Sequence, residues 1–369
     1  MRSFQSIWIW SALVVPSLGT LVKYLSWPGA VGFAVGVWVL LGQAHRLLLI
    51  PPRAATWLIG GTAALVVAAF LVCHPLVDAQ VAERGSDDDE AHDLGVAALL
   101  RGESPYEQRT YLNNQLHQMP GAFLLAAPFA MAGTSALQNL FWLAAFFVVV
   151  AKETRDLRLV LALLWIILLG SAEVSAHLIT GTGYSANAIS VLLGLHFLVR
   201  RPRSGLAAAF WGITLASRAN FLLLLPLDFG WLRQTSGWSW ALGAIAVAAG
   251  VVAALTLPFF LADPQQFGPI IALLDRIFRF DEMFANSGII LLATAVILAA
   301  TLAIRPMTRS GLLRRCAIVL AFPAAAGTIL ATVQQGVVSF DYLSYGLFAS
   351  WFVFSADALG SDVARGPVL

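Results

Sequence analysis

Long apolar stretches, separated by short polar segments, run through most of the chain. They fall near residues 6–24, 28–43, 54–73, 136–151, 159–178, 185–199, 205–217, 221–232, 238–260, 287–304, 316–334 and 340–356. Many approach the length of about 20 residues that a helix needs to cross a bilayer. They do not alternate polar with apolar positions, as the strands of a membrane barrel do. The pattern therefore predicts an all-α, polytopic transmembrane helical bundle of about 12 crossings.

The residue composition supports a membrane location. Hydrophobic residues make up 59% of the chain and charged residues only 11%, whereas about a quarter of a soluble domain is charged. The net charge of +2 leaves no basic footprint for nucleic acid. The expected surroundings are membrane lipids, and no nucleic-acid partner is expected.

The positions of lysine and arginine predict how the chain is oriented. With the amino end in the cytoplasm, most of the 22 Lys and Arg residues fall on the cytoplasmic side, as the positive-inside bias requires. Only Lys23, Arg84, Arg101, Arg109, Arg218, Arg276 and Arg279 fall outside. We therefore expect a multi-pass protein of a bacterial-type plasma membrane with both termini cytoplasmic.

The same threading divides the chain into three parts. Residues 1–53 form a predicted hairpin of two helices, residues 54–357 the main transmembrane domain, and residues 358–369 a cytoplasmic tail. The main domain contains an outer loop at 74–135. It also contains residues 264–282, whose apolar positions recur on one side and predict an outer amphipathic helix.

Two segments do not fit a simple span. Residues 119–134 carry Pro120 at their start, and we interpret them as a juxtamembrane or re-entrant helix on the outer face. Residues 205–232 would reach about 42 Å as one helix, more than the bilayer core of about 30 Å. We predict two half-helices that meet at 217–220, with Arg218 in a polar cavity because a lone arginine facing lipid is costly.

The densest charge of the chain lies in the outer loop, where Asp87, Asp88, Asp89 and Glu90 follow one another. One interpretation is structural. Ser86 and Asp89 fit a helix-capping pattern, and acids in a first turn complement the helix dipole. The helix would run over 89–100 and end before Gly102 and Pro105.

The second interpretation is chemical. Crowded carboxylates raise one another's proton affinity, which suits a general base that takes a proton from a hydroxyl. Alternatively, Asp87 and Glu90 could hold a divalent cation such as Mg²⁺ or Mn²⁺, because such ions prefer oxygen ligands. The residues alone leave these interpretations open.

A family resemblance favours the chemical interpretation. The run "DDDEAHDLGVAALLRGESPY", followed by "HQMPGAFLLAAPF", resembles the first outer loop of the GT-C superfamily of polyprenol-phosphate-dependent membrane glycosyltransferases, which includes mannosyl- and arabinosyltransferases. The segments "GITLASRANFLLLLPL" and "LTLPFFLADPQQFGPII" are similar to a short hairpin and an exit into an outer helix in that family. Two registers of the match put the catalytic carboxylate at Asp88 or at Asp89.

The resemblance implies a reaction and a set of site residues. A sugar would move from a polyprenyl-phosphate donor to a hydroxyl of a lipid or glycan acceptor in the cell envelope. The catalytic residue would be Asp88 or Asp89, and Arg218 would bind the departing phosphate. Four further candidates for substrate binding each have an ordinary structural alternative, namely Tyr106, His117, Glu173 and His177.

Two other functions remain open at this point. A transporter or lipid flippase would also use broken helices and buried charges. A polysaccharide polymerase or ligase would share a lipid-phosphate site. Ionisable residues gather in one outward loop and no inverted repeat is evident, which favours the transferase.

Overall fold

The computed structural model describes residue 4, residues 6–77 and residues 86–359, and these residues form an all-helical protein. The sixteen α-helices of this part are α1 (Ile7–Val14), α2 (Leu18–Gln43), α3 (Pro52–Val77), α4 (Asp88–Leu100), α5 (Pro120–Ala130), α6 (Leu137–Thr154), α7 (Leu157–Gly170), α8 (Ala172–Thr180), α9 (Tyr184–Arg200), α10 (Gly205–Leu215), α11 (Leu225–Ser236), α12 (Trp238–Ala262), α13 (Gly268–Met283), α14 (Ser287–Ile304), α15 (Arg309–Gln335) and α16 (Leu347–Ala358). The all-α fold class is therefore confirmed for the described residues. The predicted tail at 358–369 lies almost entirely outside them.

Six segments of the described chain are long and apolar enough to cross a membrane. They are Leu18–Leu49, Pro52–Val77, Leu137–Thr154, Trp238–Ala262, Ser287–Ile304 and Arg309–Gln335. The pair α7 and α8, bent by 83°, makes a seventh if it counts as one span. These helices make a membrane-embedded protein the natural interpretation, whereas the count of twelve crossings stays a prediction.

The amino-terminal region differs from the two predicted spans. Helix α1 is short, and α2 continues through the predicted boundary with a kink at Ser26, where φ is 59° and ψ is 176°. Pro28 lies two residues after the kink. Because a proline lacks the amide hydrogen and cannot continue an existing helical ladder, it is found where a helix starts again.

The predicted break in the 205–232 segment is confirmed. Helix α10 ends at Leu215, and Arg218 has extended backbone angles, φ −151° and ψ 142°. A 3₁₀ turn at Ala219–Leu224 then leads into α11. The short helix predicted at 119–134 is also present as α5, with Pro120 in its first turn, where the missing amide hydrogen costs nothing.

Helix α9 lies in the buried centre of the fold. Most of its residues are buried, and the large side chains of Trp211, Phe146 and Trp351 fill the space around it. Its 17 residues extend about 25 Å, from Tyr184 at one end to Arg200 at the other. The two ends of α9 therefore mark two separate polar regions of the molecule.

Candidate functional site

Helix α4 carries the acidic run and begins one residue earlier than predicted, at Asp88. The Ser86 hydroxyl accepts a hydrogen bond from the Asp88 amide at 3.3 Å. Further along, Gly95 lies so close to α5 that a Cβ there would be 2.3 Å from the Phe123 ring. The glycine thus lets α4 pack tightly on α5, and this packing fixes the position of the acidic end.

The Asp88 carboxylate is the centre of a buried polar cluster. Its Oδ1 accepts hydrogen bonds from Arg218 Nη2 at 2.8 Å and from Gln118 Nε2 at 2.9 Å. Its Oδ2 accepts one from the Gly183 amide at 2.7 Å. Asp88 is 7% exposed and Arg218 6%. Three segments distant in sequence therefore donate hydrogen bonds to one carboxylate.

The surroundings of Asp88 favour its charged form. Burial by itself would raise the pKa of this carboxyl, but the Arg218 guanidinium, His92 and the Gly183 amide together hold the pKa well below its usual range. His92 lies one helical turn after Asp88, and its Nδ1 is 2.5 Å from the Asp88 carbonyl oxygen. Asp88 is consequently ionised at neutral pH and paired with the Arg218 guanidinium.

Aromatic rings hold Arg218 from the other side. The guanidinium lies 4.6 Å from the centre of the Tyr184 ring and 5.9 Å from that of Phe348. Tyr184 in turn stacks on Tyr345 at 5.4 Å. Cation–π contacts of this kind stabilise a desolvated guanidinium. The extended backbone at the hairpin break and these rings together fix the direction of the Arg218 side chain.

A cavity of about 430 Å³ adjoins this cluster. Its lining is mostly apolar and comes largely from α13, α14 and α15, with Arg218, Arg276 and His117 as the basic groups. Arg276 Nη2 donates to the Tyr345 hydroxyl at 3.1 Å. Burial, with a contribution from Arg218, lowers the pKa of His117 to about 4. At neutral pH the cavity therefore combines two guanidiniums and a neutral imidazole with a long apolar wall.

The other acids of the run point elsewhere. Asp89 lies 3.8 Å from His74 Nε2 on α3, and its carboxylate packs against Gly181. Asp87 accepts hydrogen bonds from Thr110 and Asn114, each at 2.7 Å. Successive residues of a helix differ in direction by about 100°, so adjacent acids reach different partners.

Glu90, the fourth acid, accepts a hydrogen bond from the Tyr111 amide at 2.8 Å. Asp87 and Glu90 thus both connect α4 to the 110–114 segment of the same loop. The part of the chain that the structure describes contains no group of three or more His, Cys, Asp or Glu side chains placed to hold a metal ion. The divalent cation predicted at Asp87 and Glu90 stays a prediction.

Three of the substrate-binding candidates, Tyr106, Glu173 and His177, hydrogen-bond or pair with groups other than the Asp88 carboxylate. The Tyr106 hydroxyl is buried and donates to the Gln118 carbonyl at 3.0 Å, and burial raises the pKa of Tyr106. Glu173 and His177 pair with each other at 3.1 Å across one turn of α8. His177 is nevertheless close to the cluster, since its ring lies 5.3 Å from that of Tyr184.

Sequence reasoning missed several members of the cluster. Gln118 and His92 had local signals, because Gln118 precedes the Pro120 helix start and His92 lies four residues after Asp88, on the same helix face. Gly183 and Tyr184 had none, since a turn glycine and an apolar-helix tyrosine are ordinary features of any membrane protein. Only the tertiary fold brings them to Arg218.

Comparison with protein-family models, with curated proteins and with solved structures finds no match for this chain. The class of protein is therefore defined by the fold and the site themselves. In the part of the chain that the structure describes, it is all-helical, with six or up to seven segments able to span a membrane. Beside them lies a buried acid–guanidinium pair next to a largely apolar cavity.

Proposed function

We propose that this protein is an integral membrane glycosyltransferase of the GT-C type. It moves a sugar from a polyprenyl-phosphate donor to a hydroxyl acceptor on the outer face of the membrane. In this proposal the shorter helices, including the α10–α11 hairpin, complete twelve crossings. The end of the molecule that carries α4, α5 and α13 then faces outward.

The cavity beside Arg218 suits the donor. A polyprenyl phosphate has an apolar chain and an anionic head, and the cavity offers an apolar wall together with Arg218 and Arg276. A guanidinium binds phosphate through paired N–H donors. His117 lines the same cavity and is neutral at neutral pH, so it can donate a hydrogen bond without adding charge.

Asp88 then acts as the general base. The acceptor hydroxyl gives its proton to the Asp88 carboxylate while its oxygen forms a bond to the anomeric carbon from the face opposite the phosphate. The bond from that carbon to the phosphate oxygen breaks, and polyprenyl phosphate leaves with the electron pair, stabilised by the guanidiniums. The anomeric configuration is inverted.

In this proposal, binding of the donor raises the proton affinity of Asp88. In the free protein Arg218 neutralises Asp88, which makes the carboxylate a weak base. A bound phosphate shares the guanidinium and adds a second negative charge nearby, so the proton affinity of Asp88 rises. Base strength thus increases when the donor is present, which limits unproductive proton uptake in the empty enzyme.

The single observation that supports this function is the direct contact of Asp88 with Arg218 beside an apolar cavity. The test uses purified protein in lipid vesicles with a radiolabelled polyprenyl-phosphate sugar and native membrane extract as the acceptor source. Asp88→Asn should lower transfer by at least about a hundredfold, the usual contribution of a general base.

Matched variants test whether a loss of transfer is specific to the Asp88 carboxylate or follows from removing any acid of this loop. Glu103→Gln removes an exposed acid of the same loop, which pairs only with its neighbour Arg101 at the surface, and should leave transfer unchanged. Asp89→Asn tests the second register of the family resemblance. Full activity in Asp88→Asn, or a wild-type protein that moves the labelled lipid across the bilayer without transferring sugar, would overturn the proposal and favour a flippase.

A further inference from the structure

A second basic cavity lies at the end of the molecule opposite Asp88. It has a volume of about 450 Å³ and is lined by the final turns of α6 and α9. Its charged and polar residues are Lys152, Glu153, His196, Arg200 and Arg201. The proposed glycosyl transfer makes no use of this region.

The inner wall of this cavity is a closed ionic network. The Glu153 carboxylate pairs with Arg200, and Arg309 at the start of α15 approaches it at 3.8 Å. His196 Nε2 lies 3.6 Å from Glu153 Oε1. Three helices are thereby joined at one carboxylate, which keeps the wall in a fixed shape.

His196 adds no charge to this network. Arg309 Nη2 is 2.6 Å from His196 Nδ1, and a guanidinium has only donors, so Nδ1 must be the acceptor. The imidazole is therefore neutral and carries its hydrogen on Nε2, which faces Glu153. All of the positive charge in the cavity comes from lysine and arginine.

The outer rim holds positive charge that the network does not neutralise. Glu153 supplies one negative charge against Arg200 and Arg309, while Lys152 and Arg201 are exposed at the rim. The ends of α6 and α9 contribute partial negative charge of about one half each. A net positive charge remains, and it faces the opening of the cavity.

The rest of the cavity wall is apolar. Val149 and Phe197 line it beside the cations, and Phe197 is 44% exposed. A soluble anion would gain nothing from this surface, whereas the glycerol and upper acyl carbons of a lipid would bury against it. Basic pockets between membrane helices commonly bind anionic headgroups.

We propose that this cavity binds the phosphate headgroup of an anionic phospholipid. The phosphate lies between Lys152 and Arg201, within reach of Arg200, and the first acyl carbons lie along Phe197. The bound lipid bridges α6 and α9 at this end of the bundle. This inference does not depend on the reaction proposed for the other end.

The test counts phospholipids bound to the purified protein by native mass spectrometry. Phosphatidylglycerol should bind one site with higher affinity than phosphatidylcholine. The double variant Lys152→Gln/Arg201→Gln leaves the inner network intact and should weaken phosphatidylglycerol binding by roughly thirtyfold, since each cation near a membrane surface contributes about 1 kcal/mol.

A second double variant is the matched control. Arg46→Gln/Arg53→Gln removes the same charge from exposed positions at the amino-terminal side of α3, outside the cavity, and should change the affinity less than about threefold. If both double variants lose the same affinity for phosphatidylglycerol, the effect comes from net charge alone and the proposal is overturned. Displacement of the lipid by millimolar inorganic phosphate would also overturn it, because it would assign the cavity to a soluble anion.

Discussion

Replacement of Arg218 by methionine tests the buried pair directly. Methionine keeps an unbranched chain of similar length but removes the cation. Asp88, which is 7% exposed in the wild type, would then keep its hydrogen bonds from Gln118 and Gly183 but lose the guanidinium. A buried charge that has lost its partner is one of the few defects that destabilise a protein severely.

The expected magnitude follows from the burial of both partners. A solvated surface pair contributes about 0–1 kcal/mol, whereas removal of one partner from a buried pair costs about 3–5 kcal/mol. With both side chains 6–7% exposed and 2.8 Å apart, the larger range applies. The double variant Asp88→Asn/Arg218→Met removes the stranded charge and should recover most of the loss.

The pH dependence supplies a second, independent signature. In the wild type the pKa of Asp88 is depressed, so its stabilising contribution is complete above about pH 4 and is lost as the pH falls through the folded value. In Arg218→Met the largest contribution that lowers the pKa of Asp88 is gone while burial remains, so this pKa rises. Protonation then removes the uncompensated charge, and the stability gap to the wild type should narrow as the pH falls through this raised pKa.

The assay is reversible unfolding in mixed micelles, in which the mole fraction of sodium dodecyl sulfate is raised and tryptophan fluorescence is followed. The four proteins of the cycle are wild type, the two single variants and the double variant. A loss below about 1 kcal/mol in Arg218→Met, or a gap that does not change with pH, would show that the pair is solvated and would refute the reasoning.

Three further predictions concern the same end of the molecule. Gly268→Ala should cost about 1–3 kcal/mol in the same unfolding assay, because its Cβ would lie 1.8 Å from a backbone carbonyl oxygen. The control Gly250→Ala, whose Cβ would have nothing within 4 Å, should cost nothing. An equal loss of stability in the two variants would contradict this prediction. Burial holds the pKa of His117 at about 4, below its unfolded value, so the wild type should lose stability as the pH falls from about 6.5 to 4. His117→Gln should lose less over the same range. Parallel plots of unfolding free energy against pH for the two proteins would contradict the burial of His117. Asp88→Asn should bind farnesyl phosphate about tenfold more tightly than wild type by calorimetry, because the phosphate no longer competes with a carboxylate for Arg218. Weaker binding would contradict the idea that the phosphate and Asp88 share the Arg218 guanidinium.

The sequence predicts much of the helical framework because its signals are local. Apolar runs gave the long helices, and the excess length of residues 205–232 predicted the break that Arg218 occupies. Pro120 predicted where α5 begins. Each of these signals depends on bilayer thickness or on backbone chemistry at one position, so no tertiary information was needed.

The same signals could not predict which of Asp88 and Asp89 contacts Arg218. Both residues lie in the first turn of α4, and a rotation of α4 about its axis by one position would exchange their surroundings. The rotation is set by how Gly95 packs on α5 and by where the turn before α9 presents the Gly183 amide. These contacts join segments that are distant in sequence, so the residue pattern of α4 alone could not predict how the helix is rotated.

The structural and the chemical interpretation of the acidic run do not exclude each other, because different acids of the run have different contacts. Asp87 and Glu90 connect α4 to its own loop and hold the helix start in place. Asp88 and Asp89, between them, are both buried. A carboxylate that must be kept buried beside a guanidinium needs a rigid backbone, because a shift of about 1 Å would weaken its hydrogen bonds. By connecting the start of α4 to its loop, Asp87 and Glu90 help to hold the two buried carboxylates, Asp88 and Asp89, against their separate partners.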